Sequence, residues 1–331
     1  MEPPIRIVQT GLGPVGQMVT PYLNERKRLE IVGAVDIDPQ KVGTDLGILC
    51  GLSQPIGVKI SDDLDSALEG AQAAVVTTVS ELDALYPLLE RVVPKGIHIV
   101  STCEELSFPW KTRPDLSEKI DSLAKAHNVS ILGTGINPGF LMDFLPTAAT
   151  AICRSVQKIR IQRIQDASFR RLPFRQKIGA GLSVEEFQQR VEQKKIRHVG
   201  LTESMHMVAA RMGWRLDRTE DRVEPIVSET EISGKDWTVS PGIAVGVNQT
   251  GRGYVGDDEV LTLEFRAAVG QKEPADRIWI DGVPEVNLVI PGGVNGDVAT
   301  CSIVANAIPV VIDAPPGLRT MVDIPPISYS S

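Results

Sequence analysis

A chain of 331 residues has room for one large or two ordinary domains, and its 42% hydrophobic and 23% charged residues are those of a globular protein with a sizeable core. A net charge of −8 argues against nucleic acid as the main partner, because phosphate-binding surfaces are basic. No apolar run reaches the ~18 residues that span a bilayer, the opening MEPPIR has no basic-then-apolar signal pattern, and Cys50, Cys103, Cys153 and Cys301 form no CxxC pair, so reduced thiols and a cytoplasmic location are expected.

The first 135 residues alternate between strand and helix patterns. IRIVQT is a short apolar strand, and PVGQMVTPYLNER puts Val15, Met18, Val19, Tyr22 and Leu23 on one helical side. LEIVGAVD is the second strand. AQAAVVTTV, IHIVST and VSILGTG follow as strands, with ELDALYPLLERVV and DLSEKIDSLAKAH as helices between them. Near-continuous apolar strands separated by amphipathic helices predict a parallel sheet covered on both faces, hence an α/β, doubly wound half.

From about residue 155 the pattern changes. VQKIRIQRI and VLTLEFRAAV alternate apolar and polar residues, as strands with one wet face do. DRIWIDG and VNLVI add strands, while VEEFQQRVEQK and TESMHMVAARMG read as helices. This predicts a second, α+β domain. VNGDVATCSIVANAIPVVI returns to helix, and DAPPGLRTMVDIPP is an extended, proline-rich tail. The division expected is 1–139 for the first domain, with 300–331 packing back on it, and 140–299 for the second.

Gly11, Gly13 and Gly16 fit GxGxxG between a predicted strand and a predicted helix. The first glycine makes the tight turn, the second lets backbone approach a pyrophosphate, and the third lets helix pack on strand. The anion then sits on the helix N-terminus. Gly11, Leu12, Gly13, Pro14, Val15 and Gly16 are therefore candidate cofactor-binding residues of a Rossmann domain. Asp36 closes the second strand, twenty residues after Gly16, as a ribose-binding acid does. Its carboxylate favours NAD over NADP by repelling a 2′-phosphate. Lys41, five residues on, either reaches such a phosphate or stands as a solvated surface charge.

Ligands of open parallel sheets bind beyond the carboxyl ends of the strands. That places Thr78, Val79, Ser80, Thr102 and Asn137 beside the cofactor, and Glu104 and Glu105 in the same crevice. Asn137 lies in GTGINPGF, which is also an ordinary turn signal. Neighbouring residues at a strand end face opposite ways, so one of the two glutamates is expected to face the ligand.

GLGPVG, STCEELSFPW, GTGINPGFLMD, QDASFRRLPFRQKIGAGL, HVGLTES, GGVNGDVATCSIVANAIP and PGLRTMVDIP together resemble the 2,4-diaminopentanoate dehydrogenases and the native amine dehydrogenases close to them. The N-terminal half is more distantly similar to dihydrodipicolinate reductase. The resemblance covers nearly the whole chain. It implies an NAD(P)-dependent oxidoreductase that interconverts a primary amine with a ketone or aldehyde plus ammonia, and a homodimer built through the C-terminal domain. It also implies that Glu104, the first of the pair, is catalytic. A carboxylate suits this chemistry, since the amine must lose a proton before hydride leaves and an iminium must be held electrostatically. The other, Glu105, is then a plain structural partner paired with an arginine, and the alternative role for Glu104 is to cap or brace the loop before FPW.

Phe140, Met142, Phe144, Phe169, Leu172 and Phe174 wall an apolar substrate pocket or belong to plain core. His198 and Thr300 are further pocket candidates. Arg170, Arg171 and Arg175 either grip a substrate carboxylate or form interdomain or dimer salt bridges. His198 and His206 lack a third ligand, so no metal is expected. Two other readings remain open: a dihydrodipicolinate-type imine reductase, against which stands the lack of a paired-histidine motif, and a non-catalytic dinucleotide-binding protein.

Overall fold

A computed structural model describes residues 3–168, 170, 172–234 and 237–330. The chain divides into two compact units, 1–140 with 295–331, and 141–294.

The first unit opens with β1 (Ile5–Thr10), α1 (Pro14–Asn24), β2 (Leu29–Val35), α2 (Leu46–Leu49), β3 (Ile60–Ser61), α3 (Leu64–Ala67), β4 (Ala73–Val76), α4 (Leu82–Val92), β5 (His98–Ser101), α5 (Pro114–Ala126) and β6 (Ser130–Gly133). The four residues of β4 and of β6 are buried throughout, as strands covered on both faces must be. The loop before β3 is braced by one side chain. The Asp45 carboxylate accepts N–H groups from Gly47, Ile48, Ile56 and Gly57 at 2.8–3.3 Å.

The second unit runs α6 (Phe144–Ala149), β7 (Ser155–Asp166), α7 (Leu172–Lys177), α8 (Val184–Glu192), α9 (Leu201–Arg211), β8 (Arg218–Val227), β9 (Ile232–Ser233), β10 (Thr238–Val239), β11 (Ala244–Val255), β12 (Asp258–Ala268), β13 (Ala275–Val283) and β14 (Val286–Pro291). Its main sheet has the order β14-β13-β7-β12-β11-β8. Only β7 and β12 pair in parallel. In register, Ile159 faces Leu261 and Ile280, and Ile161 faces Leu263 and Ile278; all six are buried. Ser183 caps α8 in a reciprocal box with Glu186.

The chain then re-enters the first unit through α10 (Gly296–Ile312), capped by the Asn295 side chain, and β15 (Gly317–Arg319). The proline-rich tail therefore supplies a strand. β15 pairs with β6 and completes a seven-stranded, all-parallel sheet of order β15-β6-β5-β4-β1-β2-β3. This is the doubly wound Rossmann architecture, joined to an α+β unit. No described helix is long and apolar enough to cross a membrane.

Candidate active site

Strand register sets the first unit's site. Thr10 lies level with Val35 and Val76, Val76 with Ser101, and Ser101 with Gly133. The loops that follow β1, β2, β4, β5 and β6 therefore rise from one edge of the sheet.

The three glycines differ physically. Gly11 sits at φ +86°, a left-handed conformation that favours glycine. A Cβ on Gly16 would lie 2.0 Å from the Gly11 oxygen, so α1 packs backbone to backbone against the turn. A Cβ on Gly13 would meet nothing within 4 Å. Gly13 is also the N-cap of α1, makes no side-chain cap bond, and is followed by Pro14 at the first helical position. An open cradle at an uncapped helix N-terminus fits a pyrophosphate. Val15 is half-buried in the first turn.

Asp36 is 8% exposed. Its Oδ2 accepts the Leu12 N–H at 2.7 Å and the Lys41 ammonium at 3.1 Å, and its Oδ1 accepts the Asp38 N–H at 2.9 Å. Burial pushes this carboxyl up, but the Asp38 and Leu12 amides and Lys41 together outweigh it and hold it below its ordinary value. Lys41 is thus no solvated surface charge; its ammonium bridges Asp36 and, at 3.5 Å, Asp38.

Across the edge, Thr77 donates its hydroxyl to the Gly11 oxygen at 2.6 Å, and the Thr78 methyl covers Gly11. Thr78 is exposed, whereas Val79 packs on the core. The Ser80 oxygen accepts the Glu105 N–H at 3.2 Å and the Cys103 thiol at 3.1 Å. Burial pushes that thiol up to about 12, which makes it inert. The Thr102 N–H extends the β5 ladder to Val76. Glu104 and Glu105 begin a short 3₁₀ turn. Glu105 turns back, and its Oε2 accepts the Leu82 N–H at 2.8 Å at the start of α4. Arg113 forks onto Asp83 in that same first turn. Glu104 is half-buried on the loop.

After β6, Gly139 at φ +130° lies so close to Gly135 that a Cβ there would sit 2.4 Å from the Gly135 oxygen. Asn137 and a half-buried Phe140 stand on this turn. Thr300 of α10 accepts the Ile136 N–H at 3.3 Å, which ties the turn to the returning helix.

The remaining candidates belong to the second unit. Met142 is fully buried core. Phe144 opens α6 beside Asp143, whose carboxylate accepts the Phe144 N–H and the Ser204 hydroxyl, each at 2.7 Å. Leu172 is exposed and is no wall of a core. Phe174 packs on the core with the Arg170 guanidinium 4.1 Å above its ring. Arg175 lies buried, 5.7 Å from the Trp237 ring. Phe169 and Arg171 lie outside the described residues. His198 keeps some exposed surface, yet its ring stacks on Phe265 at 4.5 Å. Burial, then the Lys177 and Arg163 cations, push its imidazole down to about 3. Its backbone N–H is held by Gln249, which donates in turn to Asp221.

One pair escaped sequence reasoning. Arg163 on β7 faces Asp276 on β13 in register, at 3.7 Å, and both are under 8% exposed. Arg163 donates to the Val294 oxygen at 3.1 Å, while Asp276 accepts the Val294 N–H at 2.7 Å. Burial outweighs their mutual attraction, so the Asp276 carboxyl is pushed up and the Arg163 guanidinium down. Nη1 of Arg163 and Oδ1 of Asp276 make no hydrogen bond among the described residues. The signal was present: Ile159, Ile161 and Arg163 share one strand face.

Comparison with known proteins assigns the two parts separately and the whole together. Residues 140–329 match the 2,4-diaminopentanoate dehydrogenase C-terminal domain, and residues 5–104 match the dihydrodipicolinate reductase N-terminus. A 2,4-diaminopentanoate dehydrogenase of Acetoanaerobium sticklandii is 31% identical, over 97% of this chain and 93% of its own. An amine dehydrogenase of Streptomyces virginiae is 22% identical over 97% and 96%. The solved amine dehydrogenase of Mycobacterium smegmatis superposes with a TM-score of 0.85 at 27% identity, covering 98% of this chain and 97% of that one. With one family spanning more than half the sequence and a full-length relative above 30% identity, the chain belongs to the 2,4-diaminopentanoate dehydrogenase family.

Proposed function

We propose that the protein catalyses the reversible oxidative deamination of a primary amine to a ketone or aldehyde and ammonia, with Glu104 as the acid–base group. Membership of the family supports the reaction class. The observation that carries the assignment of Glu104 is its place: it stands half-buried on the loop after β5, at the same sheet edge as the glycine turn and next to the β4 loop that covers that turn, while the Glu105 carboxylate is turned to the N-terminus of α4.

A nicotinamide dinucleotide, when bound, supplies the hydride acceptor or donor. Gly11 to Gly16 hold its pyrophosphate, Asp36 its adenosine ribose, and Thr78 to Ser80, Thr102 and Asn137 its nicotinamide half. Glu104 takes the proton from the substrate ammonium, which frees the lone pair that expels hydride from carbon. Once that proton has passed to solvent, the Glu104 carboxylate faces the iminium cation electrostatically and takes a proton from the water that adds to it. Glu104 returns that proton to the carbinolamine nitrogen, and as the C–N bond breaks the hydroxyl proton leaves to solvent, which yields the carbonyl and ammonia. Asp36 favours NAD at least as much as NADP. The test is reduced-cofactor absorbance with a carbonyl panel, with and without ammonium; turnover that ignores ammonia would favour an imine reductase instead.

A second reading of the substrate has its own support. The 31% identical relative is named for 2,4-diaminopentanoate, so the alternative is a substrate bearing a carboxylate, which a guanidinium would grip. Comparing amino-ketone acids with neutral alkyl ketones separates this from a neutral substrate. We further propose a homodimer through the second unit, whose edge strand β14 leaves Leu288 and Val289 36% and 50% exposed. Light scattering at twice the 35.9 kDa of one chain would support it.

A further inference from the structure

The ribose-reading carboxylate is not alone. Its two oxygens already receive three hydrogen bonds, from Leu12 N–H, Asp38 N–H and the Lys41 ammonium. A carboxylate offers about four acceptor positions, so one remains for a ribose hydroxyl while Lys41 stays in place. Charge is equally constrained. Asp36 and Asp38 bring two negative charges to this corner, and Lys41 touches both, at 3.1 and 3.5 Å.

The backbone holds Lys41 in position for a different job. Lys41 N–H and Val42 N–H both bond to the Asp38 oxygen, and Gln40 N–H bonds to the Asp38 carboxylate. The turn is therefore pinned, while the lysine side chain is long, flexible and 20% exposed. Its ammonium can leave Asp36 without any movement of the chain. A 2′-phosphate entering beside Asp36 meets a cation at the spot where a bare carboxylate would repel it.

We infer that Lys41 determines dinucleotide specificity: its ammonium is a transferable counter-ion, resting on Asp36 when the ribose carries a 2′-hydroxyl and passing to the phosphate when it carries a 2′-phosphate. The site thereby accepts both NAD(H) and NADP(H). This rests on the reading of the glycine turn as a dinucleotide site. It sets Lys41, rather than Asp36 alone, as the residue that decides between the two cofactors.

The experiment is calorimetry on the intact protein, without substrate, using NADH and NADPH, with 5′-AMP and 2′,5′-ADP as probes of the adenosine end. The expected result is that the wild type binds both reduced dinucleotides. Lys41→Met should raise the ratio of Kd for NADPH to Kd for NADH by about tenfold, the worth of one charge-assisted hydrogen bond. Lys41→Arg should restore it, and the same ratios should appear with 2′,5′-ADP against 5′-AMP. If the Met variant leaves the ratio within about twofold, or weakens both ligands equally, Lys41 only braces the turn and the inference falls. If the wild type binds neither dinucleotide, the cofactor reading itself falls, and this inference with it.

Discussion

The Glu105 carboxylate accepts the backbone N–H of Leu82 at 2.8 Å, so one member of the glutamate pair is held by the N-terminus of α4. The two glutamates should therefore fail differently. Glu104→Gln keeps the shape but cannot take a proton, and turnover should drop by ~10²- to 10⁴-fold while dinucleotide affinity is retained. Glu105→Gln removes a charge that favours a helix N-terminus; it should lower thermal stability and spare more of the turnover. Steady-state kinetics beside calorimetry decides. Retained turnover in Glu104→Gln would remove that residue from the mechanism.

The glycine turn allows a sharper comparison. Gly16→Ala puts a methyl 2.0 Å from the Gly11 oxygen. Overpacking of this kind costs about 1–3 kcal/mol and should lower the melting temperature. Gly13→Ala meets no protein atom, so the fold should keep its melting temperature. Its methyl enters the cradle instead, and dinucleotide affinity should fall. Equal behaviour of the two variants in scanning calorimetry and binding would contradict the assigned roles.

Asp36→Ala removes the negative charge at the ribose site and three hydrogen bonds from the loop. The preference should move toward NADPH, with both affinities reduced by the looser turn. Competitive binding of the two reduced cofactors measures it. A shift toward NADH would contradict the reading of Asp36.

His198 ties stability to pH. An unfolded histidine titrates near its ordinary 6.5, whereas burial, with the Lys177 and Arg163 cations, pushes this one down to about 3. Between those values the unfolded chain binds the extra proton. The contribution is therefore fully present above about pH 6.5 and is lost as pH falls toward 3, by at most about 1.4 kcal/mol per pH unit. His98, also pushed down by burial, adds to the loss over the same direction of pH. Urea midpoints at about pH 7 and about pH 5 should differ more in the wild type than in His198→Phe.

The Arg163–Asp276 pair predicts non-additive mutations. Arg163→Met strands a buried carboxyl and should cost about 3–5 kcal/mol. Adding Asp276→Asn should recover part of that, because no unpaired charge remains. A double-mutant cycle in urea reads the coupling; simple additivity would argue against a coupled pair.

Much of the first unit was legible in the sequence because short-range rules suffice there. The strands β1, β2, β4, β5 and β6 are apolar runs, and GxGxxG with Asp36 has fixed spacing. The rest depends on partners distant in sequence. β8 and β11 are ten- and twelve-residue strands that were not anticipated, since charged residues dilute one and Gly246, Gly251 and Gly253 the other. Backbone packing explains those glycines: a Cβ on Gly246 would sit 2.0 Å from the Ala267 oxygen. β15 was hidden in a proline-rich tail and exists through its pairing with β6. Lys41 and Glu105 gave no hint of their partners, because a salt bridge to Asp36 and a bond to Leu82 arise only once the loops meet at one sheet edge.

The order of synthesis carries a consequence of β15. The first unit is interrupted by residues 141–294, and its outermost strand emerges only at Gly317. A nascent chain thus holds an unfinished parallel sheet, with the edge of β6 bare, for as long as the intervening unit is being translated. At ~5–20 residues per second this lasts many seconds, during which that edge is open to strand pairing with other chains. The second unit is contiguous in sequence, so none of the strands in its main sheet waits for a segment made after Val294.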